Sequence, residues 1–447
     1  MAAPFSPAPP RPASRLRPAP AQRRWILWAA LLPTLAAVLL FGAVRPAVNA
    51  GLELALYAGT ALVFLRCWRK PEFLPTPWIL APMAGFALFV LAQWSFRWTV
   101  YPAVTLNGLA QLCAYGCVFY LGLIAFTDAR NVRLAARLLT VFAALVAAEA
   151  IVQKYTTGGM IYGLRDATMD ALPIGPFTYH NFFAAFIELL LPLALVVGFS
   201  RLRGLDWSVQ LRRILAPALM LAAFFVAASR GGAMILGVEL VLGAILLWRA
   251  RRRLGRRRGM LALTAGVLVA FTLLAGWGPM MRRFSTVSHD SSASDRVQFS
   301  LSCLEIWRAH PWVGTGLNTF SEVYPKYRRF ENGLLLLYAH DDVAQLLAET
   351  GALGFALALA VAALAIYGIR SRLRHTLEPE LVRYKLAAMI GGIGFAVHCC
   401  GDFVSHCPAL SYLFWLLLAY MLAAVTPGHI RRRSKAPMRL QAMDGAE

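Results

Sequence analysis

The chain has 447 residues, 59% of them hydrophobic and only 15% charged, with a mean hydropathy of +0.59. That balance excludes an ordinary soluble domain and fits a protein that crosses a membrane many times. The net charge of +22 is spread as short basic clusters between apolar blocks, so no nucleic-acid partner is expected, and the seven cysteines contain no CxxC pair that would define a disulfide framework or a zinc module.

Residues 1–24 are rich in Pro, Ala and Arg and predict a disordered tail. Apolar blocks follow at 25–44, 49–66, 78–95, 104–126, 138–155, 179–199, 213–230, 233–249, 260–278, 342–369, 386–404 and 409–426. Each is close to the ~20 residues that span a bilayer as a helix. The first block lacks a convincing small-residue cleavage site and reads as a span rather than a signal peptide. The expectation is an all-α integral membrane protein of about 12 transmembrane helices. Only Ser229-Arg230-Gly231-Gly232 divides the seventh block from the eighth. Keeping that division puts roughly three quarters of the 44 Lys and Arg residues on one side, which the positive-inside rule assigns to the cytoplasm. Both termini are then cytoplasmic. The expected layout is a tail at 1–24, nine helices within 25–278, an external loop at 279–340, three helices within 341–429 and a second tail at 430–447.

The external segments hold the polar chemistry. Thr156 to Asn181 carries Arg165, Asp166 and the run Gly175 to Asn181. Arg230 stands at a membrane boundary before two glycines. It reads either as a phosphate-binding guanidinium or as an arginine snorkelling to headgroups. The long loop opens with Arg282, Arg283, His289 and Asp290. A helical patch follows, with Val297, Leu301, Leu304 and Trp307 on one face. Arg296 lies at the start of that patch, where a helix N-terminus favours anions; a solvated surface arginine is the other reading. Pro311 and Gly314-Thr315-Gly316 end the patch. A second patch puts Phe320, Val323, Tyr324 and Tyr327 on one side. His340-Asp341-Asp342 then opens an apolar helix. His340 reads as a general base near carboxylates or as a satisfied interfacial histidine, and one of the two aspartates as a cap. Asp342, Gln345 and Glu349 form a polar stripe that should face a cavity or a partner helix. His398, Asp402 and His406 stand four apart. They read as a divalent-metal cluster or, for Asp402, as a buried partner for an arginine. Glu149, Glu188 and Glu239 are single acids within apolar runs.

In order along the chain, these stretches resemble the O-antigen ligase and O-antigen polymerase family of bacterial envelope glycosyltransferases. Gly175-Pro176-Phe177-Thr178-Tyr179-His180-Asn181 looks like that family's G-x-F-x-N-x-N segment, and Ser229-Arg230-Gly231 like its Ser-Arg-Gly corner. Arg296, Trp307, Pro311, Gly314, Gly316, Phe320 and Tyr324 resemble its periplasmic loop. His340, Gln345, Glu349, Gly351 and Gly354 resemble the helix after it. The match covers roughly residues 170–360. Tyr179 stands where Asn is frequent, and Asp341 where Asn or Ser is common. The resemblance implies a GT-C-like enzyme of the bacterial inner membrane that needs no cofactor or metal. It would move a glycan from undecaprenyl diphosphate, with inversion, to an acceptor hydroxyl in the periplasm. The acceptor would be a lipid A core, another lipid-linked glycan or a protein. By the same resemblance Arg230 and Arg296 bind the diphosphate and His340 activates the hydroxyl, with Asp341, Asp342, His180 and Asn181 in support. A polymerase of the same family is the nearest alternative. A polytopic transporter or lipid-linked-glycan flippase is the alternative from another class; it predicts charge near mid-span and internal repeats.

Overall fold

The computed structural model describes residues 20–68, 74–75, 77–157, 160–164, 173–199, 206–249, 292–330, 333 and 335–425. The described residues form helices joined by turns and contain no strand. The helices are α1 (Pro20–Leu39), α2 (Pro46–Cys67), α3 (Leu80–Ser95), α4 (Pro102–Ala125), α5 (Ala129–Thr156), α6 (His180–Phe199), α7 (Trp207–Ala227), α8 (Arg230–Arg249), α9 (Ser292–Ala309), α10 (Phe320–Val323), α11 (Asp342–His375), α12 (Pro379–His398) and α13 (Pro408–Leu422). All the predicted apolar blocks but one carry a helix; the block at 260–278, with Arg282, Arg283, His289 and Asp290 after it, lies outside the described residues, as do Arg165 and Asp166.

Local sequence explains many of the helix ends. Proline opens α2, α4, α12 and α13, at positions where the missing N–H would have had no helical acceptor. Asp128 caps α5 by accepting from the Arg130 N–H at 2.9 Å. The expected break between the seventh and eighth blocks falls at Ala228, whose left-handed φ of +50° ends α7 before Arg230 begins α8.

Five helices (α2, α4, α5, α6 and α11) are long and apolar enough to cross a membrane, and α1, α3, α7 and α13 contain shorter apolar segments. The centre of the bundle is α6, which is buried along nearly its whole length and packs against α5, α7, α8 and α12. A side chain on Gly391 of α12 would come within 2.6 Å of the Leu189 carbonyl, so these two backbones touch as small-residue membrane interfaces do. On the far flank α13 packs on α1 and α4, and α3 packs on α11.

Polar contacts gather at the two ends of the bundle. At one end Arg133 bonds Glu378 and lies 3.5 Å from Glu380. Nearby, Lys385 donates to the Met421 and Ala423 carbonyls at 3.0 and 2.8 Å, satisfying acceptors that the end of α13 leaves open. The opposite end carries α9, α10 and the turns before α11 and α13.

Helix α9 bears out the first loop patch as a helix, and the residues it encloses lie mainly on the neighbouring face. Phe299, Ser302, Cys303 and Ile306 are the enclosed residues, whereas Val297 is 57% exposed. The reason is the second patch: Phe320, Val323 and Tyr324 fold against Phe299 and Ile306 as a small core of their own. The apolar face containing Val297 is left outward.

Candidate active site

The loop is fastened to α11 through its polar stripe. Glu349, 2% exposed, accepts from the backbone N–H groups of Asn318 (2.8 Å) and Phe320 (3.0 Å) and from the Gln345 amide (2.9 Å). Gln345 also accepts from the Ala339 N–H at 2.9 Å. Gln345 and Glu349 of the stripe therefore face the loop.

Helix α11 is interrupted at Gly351, whose φ of +61° and ψ of −170° lie in a region that only glycine occupies readily. The interruption frees backbone groups, and the turn at 311–316 takes them up. Ala352 and Leu353 donate to the Pro311 and Trp312 carbonyls (2.8 and 3.1 Å), and Gly316 donates to that of Glu349 (2.9 Å). From α3, Gln93 clamps both partners, donating to the carbonyls of Val313 (2.6 Å) and Glu349 (2.9 Å). Nothing but hydrogen fits on Gly314, because a Cβ there would fall 2.3 Å from the Glu349 carbonyl carbon. Polar termination of a helix inside an apolar bundle is tolerable because these freed groups find partners in the turn and in Gln93.

On this frame the polar residues converge on Asp402, in the turn between α12 and α13. Its side chain is fully buried. It accepts from the Asn181 amide, at the start of α6, and from the Phe403 N–H at 2.8 Å. Arg296, from the second turn of α9, reaches it at 3.3 Å and donates to the Gly401 carbonyl at 2.6 Å. His340 Nδ1 stands 3.4 Å from the other carboxylate oxygen. Burial opposes the charge on Asp402. The contact with His340 and the positive charge of Arg296 outweigh it and hold the acid well below the usual carboxylate range.

Asn181 extends the group to α8. Its carbonyl accepts from Ser229 at 2.7 Å, and Ser229 also accepts from the Gly232 N–H at 3.0 Å. Arg230 lies between these two residues, so its backbone starts α8 beside the cluster. His180 begins α6 next to Asn181, with its ring 4.8 Å from that of Tyr179.

Aromatic rings line the same corner. Phe403 is stacked between Tyr179 (5.3 Å) and Tyr338 (5.0 Å), and meets the edge of His340 at 4.6 Å. His340 has a left-handed φ of +53°, uncommon for a residue other than glycine. It turns the chain between Ala339 and the cap of α11, leaving the side chain about a quarter exposed.

Of the residues expected at the external end, the structure brings Arg296, His340 and Asn181 onto Asp402, while His180 and Arg230 are next to Asn181 and Ser229 in the chain. The assignment of the supporting carboxylates from sequence needs correction. Asp341 caps α11 through the Ala344 N–H (3.0 Å) and accepts from Ser300 on α9 (2.9 Å). Asp342 accepts from the Ser405 N–H (2.9 Å) and pairs with His406 at 2.7 Å. Asp402 is the acid beside His340, and it also proves to be the arginine partner that was one of its two readings. The spacing of His398, Asp402 and His406 does not make a metal centre. The chain bends after α12, so that His398 pairs with Glu188 and His406 with Asp342. Among the described residues no group of three or more His, Cys, Asp or Glu is arranged to hold a metal. Gln93 and Phe403 went unremarked. The signal for Gln93 was a lone amide in an apolar block; for Phe403 there was none beyond its place next to Asp402.

A helical membrane protein with guanidinium, imidazole and amide groups gathered about one buried carboxylate, at one end of its bundle, has the outline of a membrane-embedded enzyme. Residues 215–359 match the family described as O-antigen ligase. The match spans Arg230, Arg296 and His340, and it supports the O-antigen ligase and polymerase family for this chain. No curated protein matches the chain.

Proposed function

We propose that the protein is an O-antigen ligase-like glycosyltransferase of the bacterial inner membrane. It moves a glycan from undecaprenyl diphosphate to an acceptor hydroxyl on the periplasmic side, with inversion and without a metal. The observation that carries this reading is the convergence of Arg296, His340 and Asn181 on Asp402, with Ser229 tying the start of α8 to the same group.

The chemistry follows from what each group can do. The diphosphate is already a good leaving group, so the site has to steady its negative charge and remove one proton from the acceptor. Arg230 and Arg296 serve the first task, because guanidinium groups meet phosphate oxygens in pairs. Arg296 is held in place by Asp402 and Gly401. His340 serves the second. With Nδ1 towards Asp402, its Nε2 is the nitrogen left to take the acceptor proton, and Asp402 steadies the cation that forms. As the bond from the acceptor oxygen to the anomeric carbon forms, the bond from that carbon to the phosphate oxygen breaks. The electron pair leaves on the diphosphate.

The test is transfer by the purified protein in vesicles supplied with undecaprenyl-diphosphate glycan and either lipid A core or a second lipid-linked glycan. Transfer to lipid A core supports the ligase. Elongation of the second glycan instead points to the polymerase of the same family. Movement of the lipid-linked glycan across the vesicle without transfer would replace both by a flippase.

A further inference from the structure

We infer that His398, keyed by Glu188, is a further phosphate-binding residue of this site, its Nε2–H meeting a phosphate oxygen of the lipid-linked donor at the start of α8. The inference rests on the glycosyltransferase reading above and adds a residue to it.

His398 ends α12 and is only 3% exposed. Its Nδ1 lies 2.8 Å from a Glu188 carboxylate oxygen. That contact makes Nδ1 the donor to Glu188 and fixes which nitrogen is turned the other way. The outward nitrogen, Nε2, is fully enclosed and has no hydrogen-bond partner among the described residues. A buried imidazole nitrogen is rarely left so unless something else is to meet it.

What it faces is the first turn of α8. A Cβ on Gly231 would stand 3.4 Å from Nε2, at the near edge of ordinary contact with the ring. Gly232 is more constrained, since a Cβ would come within 2.8 Å of Ala184 and 2.9 Å of the other Glu188 oxygen. With no side chain at either glycine, the ring lies against the N-terminus of a 20-residue helix, where peptide N–H groups and the helix dipole favour an anion. The charged groups facing the ring are Glu188 from α6, Asp402 from the following turn and Arg296 from α9, with Glu239 of α8 behind Glu188. Two carboxylates against one guanidinium give an imidazolium its counter-charge until a phosphate arrives.

Equilibrium binding of undecaprenyl diphosphate to the purified full-length protein tests this. His398→Ala should weaken binding about tenfold or more, the usual loss of a hydrogen bond to a charged group, and His398→Gln, which keeps an N–H but no charge, should weaken it less. Wild-type affinity should fall as pH rises from 6 to 9, and this slope should flatten in both variants and in Glu188→Gln. Where His398→Ala fails to accumulate because Glu188 is left alone, Glu188→Gln/His398→Gln removes both charges and should show the smaller loss expected of His398→Gln, with the same flattened pH slope. Folded His398 variants that bind with wild-type affinity and pH dependence overturn the inference. So does displacement of the probe by phosphatidylglycerol at equal potency, which would make the site a general headgroup contact. Arg230→Ala and Arg296→Ala separate the two levels of the argument. If they weaken binding and the His398 variants do not, this inference alone fails; if none of the variants weakens it, the glycosyltransferase reading fails.

Discussion

Replacing Asp402 by asparagine keeps its volume but removes the charge that faces both Arg296 and His340. Each lost charge-assisted contact is worth about 1.5–3 kcal/mol. Asp402→Asn should therefore lower the melting temperature and reduce turnover together, as measured on the purified protein. Arg296→Ala should cost activity tenfold to over a hundredfold. Arg296→Lys should restore only part of it, because an ammonium cannot serve Gly401, Asp402 and a phosphate in one plane. His406 offers a pH test. Burial lowers its proton affinity, but Asp342 at 2.7 Å more than reverses this, so its folded pKa is raised. A raised imidazole contributes stability that is fully present below the unfolded value of about 6.5 and is lost as pH rises through the folded value. The melting temperature of the wild type should thus fall relative to His406→Gln as pH rises from 6 towards 9, whereas parallel curves would show that the pair contributes nothing. At this scale the sequence was informative about residue types and about Asp402 as an arginine's partner, but not about the partner of His340. His340, Asp341 and Asp342 are consecutive, and proximity in the chain suggested that they act together. The left-handed turn at His340 sends its ring to Asp402 instead, a partner more than sixty positions away. No local pattern encodes that turn, since His340 is not a residue that demands it.

Among the elements, the break in α11 is the feature on which the site's geometry depends. Gly351→Ala would place a Cβ 2.5 Å from the Trp312 carbonyl in a backbone conformation that costs alanine about 1–3 kcal/mol by itself. Glu349→Ala would strand the N–H groups of Asn318 and Phe320, at about 1–3 kcal/mol for each buried group. Both variants should release the loop from the bundle. The expected result is a lower melting temperature and faster proteolytic cleavage between α9 and α11, with helix content from circular dichroism nearly unchanged; wild-type cleavage rates would show that the loop is held by something else. The helices themselves were legible because apolar blocks near twenty residues long have few alternatives in a membrane. The division at Ser229–Gly232 was legible from charge bias, although the residue that ends α7 is Ala228, which carries no turn signal. Which face of α9 is enclosed was not legible, because two apolar stripes wind round that helix. Periodicity finds both, and only the position of Phe320 and Tyr324 decides which is covered.

For the whole molecule, the two polar ends of the bundle correspond to the two sets of connections that the basic clusters separate. Arg133 and Glu378 meet at one end; Asn181, Ser229, Arg296 and His340 meet at the other. In a cysteine-free background, Val297→Cys and Leu377→Cys, both at exposed positions, should label from opposite sides of the membrane, Val297→Cys in intact cells and Leu377→Cys only after the inner membrane is breached. The reverse order would invert the topology and place the site in the cytoplasm. The assignment of chemistry depends most on His340, and comparing donor affinity with single-turnover rate in His340→Ala tests it directly. A general base contributes about 10²–10⁴ to the rate and little to donor binding. His340→Ala saturated with undecaprenyl-diphosphate glycan should therefore bind it with near wild-type affinity and transfer it 10²- to 10⁴-fold more slowly. A variant that transfers at the wild-type rate once saturated, with affinity for the donor greatly weakened, would contradict the account and make His340 a diphosphate ligand instead.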